Sequence, residues 1–283
     1  MPKISVLMPI YKTNETYLRE AIESILSQTY TDFEFLILDD CPEETREDVV
    51  LSYHDKRIKY FKNEANLGIT PSRNKLIDLA QGEYLAVMDH DDIAVSNRFE
   101  MQVKILDETP EIGVIGGLYI RFPKIKKASK LPEYNNDIED YLISGCAVFH
   151  PSAMIRADVL KKHNIRYEKE FTPAEDYALW ARLIGKTKFY NIQKVLMKYR
   201  WHETNTSKLQ DNKRLESVDK IHQFLKQDQS ELWNKVHLNN NYIIRGKLFG
   251  CIPVFKMKQV GSCKPKYLKY IPFIKIKMKL EVK

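Results

Sequence analysis

Three carboxylates fall within four positions in Asp89-His90-Asp91-Asp92, directly after the apolar run 84–88. Carboxylates this close repel one another and lose solvation, so they persist only where water, a cation or hydrogen-bond donors compensate them. At the end of a buried strand in an open α/β sheet they would line the crevice where such sheets bind ligands. Oxygen ligands of this kind select a hard divalent cation, Mg²⁺ or Mn²⁺. An acidic turn, with Asp92 or Ser96 capping the next helix, accounts for the segment equally well. A second acid pair, Asp39-Asp40, ends the apolar run 33–38. A third, Glu175-Asp176, follows Pro173 and has the form of an ordinary helix start, with carboxylates at the positive end of the dipole.

The elements that must position these groups follow from the hydrophobic pattern. Residues 3–9 read as a strand broken by Pro9, and Leu18, Ala21, Ile22, Ile25 and Leu26 recur at helical spacing behind Asn14 or Thr16 as caps. Residues 33–38 are a second strand, 43–53 a helix, 58–61 a third strand and Asn66-Leu67-Gly68 a loop. Thr70-Pro71 signals an N-cap and first turn, opening a helix that runs to about Ala80. This alternation implies crossover connections and a mostly parallel sheet flanked by helices. Asp39, Arg73, Asp89 and Asp91 should then meet at the carboxyl ends of the strands. A cationic Arg beside a metal-binding acid cluster suits a diphosphate, and a nearby carboxylate can accept from a base edge or a ribose hydroxyl. Taken singly, Asp39 is a turn former, Arg73 a solvated helix residue and Asn74 a local cap. Further on, a helix is expected around Phe99, Val103 and Leu106, a strand over 112–115, a turn at Gly116-Gly117, a variable loop over 121–136, a strand over 147–155 and a short helix over 157–163.

Composition narrows the class. With 283 residues, 43% of them apolar, the chain can bury one large α/β core with a smaller appendage. Cys41, Cys146, Cys251 and Cys263 have neither metal-ligand nor redox spacing, so a reducing compartment is expected. No secretory signal is expected at the start, and no apolar run approaches the length of a membrane span. Residues 242–283 hold eleven basic side chains against Glu281, so the tail carries +10 and the remaining 241 residues −3 of the total +7. An acidic body with a basic tail is not a nucleic-acid-binding footprint.

The ordered series Met8-Pro9-Ile10-Tyr11, Leu38-Asp39-Asp40, Asn66-Leu67-Gly68, Ser72-Arg73-Asn74, Gly82-Glu83-Tyr84 and Asp89-His90-Asp91-Asp92 resembles that of the family-2 glycosyltransferases, inverting enzymes with the GT-A fold. The resemblance covers most of the first 120 residues. It implies an α/β GT-A domain in which Pro9, Tyr11, Asp39, Asp40, Asn66, Gly68, Arg73, Asn74, Asp89 and His90 bind the nucleotide of a sugar donor. It also implies a divalent metal, Mn²⁺ or Mg²⁺, held through Asp91. His90, at a variable position of the acidic motif, is a neighbour of the metal rather than a ligand. In this family a Glu-Asp pair at a helix start supplies the base, which implies Asp176 as the base and Glu175 as an orienting group. Tyr199-Arg200-Trp201-His202 with Asn205 and Ser207 resembles the segment that closes the family's catalytic domain, and its His implies His202 as a metal ligand; taken alone, it is a surface histidine.

The resemblance fades beyond residue 207, giving an expected catalytic domain over 1–207 and a helical, basic extension over 208–283. In the extension, Leu215, Val218, Ile221, Phe224 and Leu225 form an amphipathic face that could pack on the catalytic domain or form a homodimer. The tail is either a solvated basic terminus or a ligand for an anionic membrane surface. The expectation is an enzyme that moves a sugar, with inversion, from a UDP-sugar to a glycan or lipid-linked glycan of surface polysaccharide. Its expected location is the cytoplasm, peripheral to the inner membrane face. Two alternatives stand beside it: a nucleotidyltransferase acting on sugar phosphates, which would release pyrophosphate and want a Gly-rich triphosphate loop that is missing here, and a non-catalytic nucleotide-sugar-binding protein.

Overall fold

Ile4–Ile10 and Phe33–Asp39 are so rich in large apolar side chains that they are stable as strands only when both faces are covered. They form β1 and β2, parallel neighbours in register from Ile4↔Phe33 to Ile10↔Asp39, with every residue of both buried. The computed structural model describes residues 1–123, 127–203, 205, 211–239, 242–248 and 252–259. The chain divides into two compact units, Met1–Ile221 and His222–Lys283.

In the first unit, α1 (Glu15–Leu26) starts at Asn14, whose side chain accepts from the Tyr17 N–H, so Asn14 is the cap rather than Thr16. After β2 comes α2 (Glu47–Leu51), shorter than the expected helix because residues 42–46 turn instead. Next are β3 (Ile58–Lys62), α3 (Ile69–Leu79), β4 (Tyr84–Val87), a two-residue β5 (Ile93–Ala94) and α4 (Arg98–Glu108). Then follow β6 (Ile112–Phe122), α5 (Asn135–Leu142), β7 (Met154–Arg156), α6 (Ala157–Lys162), α7 (Glu175–Leu183) and β8 (Lys188–Arg200). One eight-stranded sheet has the order β3-β2-β1-β4-β7-β6-β8-β5. Its β3-β2-β1-β4 half is parallel, and β7 reverses between β4 and β6, so β6 and β8 again run with β4. The carboxyl ends of β1, β2, β4, β6 and β8 therefore share one edge.

Several expectations are corrected. Gly116 and Gly117 are not a turn; β6 runs straight through them. They are glycines because the sheet is crowded there: a Cβ would meet Asn191 Oδ1 at 2.5 Å from Gly116 and Leu196 Cδ1 at 2.4 Å from Gly117. Only Met154 and Ile155 of the stretch 147–155 are strand, because residues 150–152 coil into a 3-10 turn that turns the chain into β7. Thr70 does not cap α3. The helix begins at Ile69 behind Gly68, whose φ of 88° is a left-handed value that glycine adopts without strain, while Thr70 Oγ1 bonds Thr172 Oγ1 at 2.7 Å. Neither Asp92 nor Ser96 caps the following helix, which begins behind Asn97.

α8 (Asp211–Asp228) crosses from the first unit into the second. It buries Ser217, Ile221 and Leu225, positions four apart, while Leu215 is exposed and Val218 and Phe224 are half-buried, so the covered stripe is narrower than the expected one. The second unit continues with α9 (Ser230–Asn239) and an antiparallel hairpin, β9 (Tyr242–Leu248) with β10 (Ile252–Gln259). Among the described residues no helix is long and apolar enough to cross a membrane. Residues 260–283, which include the Lys-rich stretch 267–280, lie outside the described residues, as do Ser207 and the middle of the 121–136 loop.

Candidate active site

The shared carboxyl edge of the sheet gathers the predicted groups. Asp39 ends β2, and its two oxygens are already occupied: Oδ1 accepts from the Cys41 N–H at 3.0 Å, while Oδ2 accepts from the Arg46 N–H at 2.7 Å and from Tyr60 Oη at 3.0 Å. Asp40 is also buried, with Oδ1 accepting from Asn63 Nδ2 and the Leu67 N–H and Oδ2 from the Gly68 N–H. The second acid of the pair therefore moulds the 66–68 loop. Asn66 closes the same turn by accepting from the Gly68 N–H at 3.0 Å. Pro9 is buried in β1, and Tyr11, just past the strand, is 40% exposed with the Lys12 ammonium over its ring.

Arg73, from the first turns of α3, reaches across the crevice. Its Nη1 donates to Glu175 Oε1 at 2.6 Å, its Nη2 lies 3.4 Å from Asp89 Oδ1, and the guanidinium sits over the Tyr167 ring. Burial opposes its charge, but the carboxylates of Glu175 and Asp89 outweigh that and raise its pKa. One cation thus ties the start of α7 to the end of β4. Asn74 does not open onto this space. Its amide donates to the Tyr167 carbonyl at 2.9 Å and accepts from the Tyr167 N–H at 3.0 Å, so it clamps the residue that backs Arg73. Tyr167 Oη in turn meets His150 Nε2 at 2.8 Å, in a pocket whose burial holds the imidazole well below its ordinary pKa.

Asp176 follows Glu175 in the first turn of α7, where its Oδ1 accepts from the Tyr177 N–H at 2.7 Å. Burial, and then the neighbouring charge of Glu175, push its pKa up to about 6. A carboxylate poised there is a strong enough base to take a proton near neutrality. Glu175 Oε2 is buried without a hydrogen-bond partner, as is Arg73 Nε. These are groups a bound hydroxyl or phosphate could satisfy.

Asp91 and His202 meet, Oδ2 to Nε2, at 2.8 Å across 111 residues of chain. Asn205 fixes the histidine's backbone by accepting from the His202 main-chain N–H at 2.6 Å while donating to the Arg200 carbonyl at 3.1 Å. Arg200 holds the acid turn from below. Its Nε donates to the Asp91 carbonyl at 2.7 Å, its backbone N–H donates to Asp92 Oδ1 at 2.8 Å, and its guanidinium also pairs with Glu20 and covers the Tyr17 ring. Burial first, then the charges of Asp91 and Asp89, raise the Asp92 carboxyl well above its ordinary pKa, and its Oδ2 has no partner. Burial likewise raises Asp89, against the pull of Arg73. His90 Nδ1 is buried without a partner. Among the described residues no group of three or more His, Cys, Asp or Glu could hold a metal by itself. The pair Asp91–His202 nevertheless fits a divalent ion: two adjacent ligands of one octahedral ion at about 2.1 Å lie about 3.0 Å apart, close to the 2.8 Å observed. Carboxylate oxygen with imidazole nitrogen is a donor set that Mn²⁺ accepts. The remaining positions would fall to water and to oxygens of a bound diphosphate.

Sequence reasoning named the acids, Arg73 and His202 but gave no role to Tyr167, His150 or Arg98. The last is fully buried, donating through Nη2 to the Val87 and Ala153 carbonyls at 2.9 and 3.0 Å, with burial pulling its pKa down to about 9. An Arg at a helix start gives no sequence signal of such burial. Arg200 was within the quoted closing segment, and its motif position was the only available clue.

An uncharacterized glycosyltransferase of Methanocaldococcus jannaschii is 38% identical over 70% of this chain and 71% of its own length. Among solved structures, S. aureus TarS 1–349 in complex with UDP-GlcNAc superposes with a TM-score of 0.69 at 20% identity, covering 84% of this chain and 72% of that one. The mannosyltransferase PcManGT of Pyrobaculum calidifontis, in complex with GDP-Man and Mn²⁺, superposes with a TM-score of 0.61 at 14% identity, covering 84% and 70%. At those identities the superpositions speak to the fold, which is GT-A. Residues 5–164 match the family described as Glycosyl transferase family 2, more than half the chain and the whole of β2 and β4 with the acids that end or follow them, so the chain is a glycosyltransferase belonging to that family.

Proposed function

We propose that the protein transfers a glycosyl group, with inversion, from a nucleoside-diphosphate sugar, UDP-linked, to a hydroxyl of a glycan or lipid-linked glycan. The observation that carries this reading is the Arg73 bridge, which sets Glu175-Asp176 of α7 against Asp89 at the end of β4. A base and a diphosphate-facing acid cluster then line one crevice. The acceptor hydroxyl oxygen attacks the anomeric carbon, Asp176 takes the hydroxyl proton, and the bond from that carbon to the diphosphate oxygen breaks with the electron pair leaving on the diphosphate. Single displacement from the opposite face inverts the anomeric centre. Glu175, held by Arg73, orients the acceptor. Asp91 and His202 would hold a divalent cation, which when bound supplies compensation for charge developing on the departing diphosphate. The UDP preference is supported by the UDP and UDP-GlcNAc complexes of TarS, and GDP-Man on PcManGT makes guanosine donors the necessary control.

Screening UDP- and GDP-sugars for slow hydrolysis in Mn²⁺ or Mg²⁺, which needs no acceptor, tests the donor class. Hydrolysis of one UDP-sugar, lost in the Asp176→Asn variant, is the expected result. Cleavage that releases pyrophosphate from a nucleoside triphosphate would overturn the reading. We further propose that residues 242–283 attach the enzyme peripherally to an anionic membrane face carrying the acceptor. The support is the concentration of +10 in that tail, where each Lys or Arg near such a surface contributes about 1 kcal/mol.

A further inference from the structure

A row of aromatic side chains lies beside the crevice and takes no part in the chemistry described so far. Tyr119 stacks on Phe149 with centroids 3.9 Å apart and planes at 26°, Tyr199 packs edge-on against both at 5.9 and 5.5 Å, and Trp201 packs edge-on against Tyr199 at 6.0 Å. All four are partly exposed, and Tyr119 and Phe149 rest on the core with the remainder of their surface outward. Their position follows from the sheet. Tyr119 and Tyr199 belong to the carboxyl-terminal parts of β6 and β8, which run parallel with each other and with β4, so the row lies toward the edge that carries Asp89 and Asp91. Trp201 immediately precedes His202. Phe149 is a neighbour of His150, which bonds the Tyr167 behind Arg73. The row is thus joined along the chain to the His150–Tyr167 contact behind Arg73 on one side and to His202 on the other.

Contiguous, partly exposed aromatic surface is costly to leave in water and marks binding sites. Flat rings beside a sugar-transferring centre match the apolar C–H faces of a pyranose, whose hydroxyls stay at the rim. The outer end of the row is charged: the Arg121 guanidinium lies over the Trp201 ring at 4.8 Å and pairs with no carboxylate among the described residues. A cation so placed is oriented by the ring and remains available to an anion.

We propose that Tyr119, Phe149, Tyr199 and Trp201 form the stacking platform for the acceptor saccharide, and that Arg121 selects acceptors carrying a phosphate or a carboxylate beside the stacked ring. This rests on the glycosyltransferase reading and adds where the acceptor lies and what charge it bears.

The test uses the full chain loaded with UDP and Mn²⁺ on an array of immobilised neutral and acidic oligosaccharides, with hydrolysis of UDP-GlcNAc and GDP-mannose measured in parallel. Acidic members should retain the wild-type protein, and Trp201→Leu and Tyr119→Leu should each weaken retention about tenfold more than they slow hydrolysis. Arg121→Gln should remove the preference for acidic over neutral members, and Trp201→Phe should keep most of the binding because it keeps a ring. Wild-type protein that hydrolyses donor but is retained by no saccharide overturns the platform. Equal retention of the wild type and the Leu variants does the same, and a neutral preference overturns the role of Arg121. Wild-type protein that hydrolyses neither donor while still binding saccharide counts against the glycosyltransferase chemistry and leaves the platform standing.

Discussion

Replacing Asp176 with Asn should make the protein more stable while disabling it. The Asp176 carboxyl has a pKa of about 6 in the folded protein against an ordinary 3.8. Between those values the folded protein holds a proton that the unfolded chain has released, so stability falls as pH rises through the window and the penalty is complete above it. The full gap corresponds to about 3 kcal/mol, and partial solvent access to the side chain reduces the expected figure to about 1–3 kcal/mol. Asn cannot ionise, and its Oδ1 can still accept from the Tyr177 N–H as the carboxylate does. Urea titrations of both proteins should therefore show Asp176→Asn more stable by that margin near pH 8, with the advantage vanishing toward about pH 4. Turnover of the variant should drop about 10²-fold or more with UDP affinity nearly intact, because a general base acts in the transition state rather than in donor binding. A variant that is less stable near pH 8, or an advantage that does not change with pH, would refute the burial argument. Parallel losses of UDP binding and turnover would make Asp176 a structural residue.

For the wild type, turnover should rise with pH through about 6 as the Asp176 base loses its proton, and a profile flat from about pH 5 to 8 would exclude it as the base. Asp91→Ala and His202→Ala should each abolish divalent-cation dependence along with most activity, and full activity of Asp91→Ala in excess EDTA would remove the metal from the reading. Arg73→Met leaves Glu175 buried and unpaired and should cost about 3–5 kcal/mol in denaturant titrations, while Arg73→Met with Glu175→Gln should recover most of it; a double variant as unstable as the single one would show that the pair is not the cause. Gly117→Ala must displace the Leu196 side chain and should destabilise by about 1–3 kcal/mol, with a neutral result refuting the close approach. A chain ending near Leu238 should keep donor hydrolysis and lose salt-sensitive binding to anionic vesicles, whereas unchanged vesicle binding would rule out the tail as the anchor.

What was legible in the sequence depended on whether the signal was local. The parallel half of the sheet could be read because β1, β2 and β4 are mostly apolar runs, and the acids that end β2 and follow β4 could be grouped because strand ends of one parallel sheet share an edge. Gly116-Gly117 misled because a glycine pair usually serves backbone freedom, whereas here it serves the approach of Leu196 and Asn191 from elsewhere in the chain. Thr70-Pro71 carried a true helix-start signal two residues late, since Gly68 supplies the left-handed corner. Asn74 was grouped with Arg73 by motif, yet the two point to different work, one clamping a backbone and the other bridging carboxylates. Tyr167 and His150 had no periodicity or motif to announce them, and their part in the site exists only once α3, α7 and the 146–150 segment have met.

The 111 residues that separate Asp91 from His202 impose an order on the life of each new molecule. At ribosomal speeds of roughly 5–20 residues per second, the acid turn is made about 6–22 s before its histidine partner, and the β1–β4 half of the sheet has time to settle first. During that interval the Asp40-moulded loop can form, but Arg200, which holds the acid turn, is made only two residues before His202. On the proposed chemistry, activity should therefore switch on only when β8, the last strand of the first unit to be synthesised, has docked beside β6. A chain that stops short of β8 should therefore lack donor hydrolysis, whereas one that ends beyond it, near Leu238, should keep it.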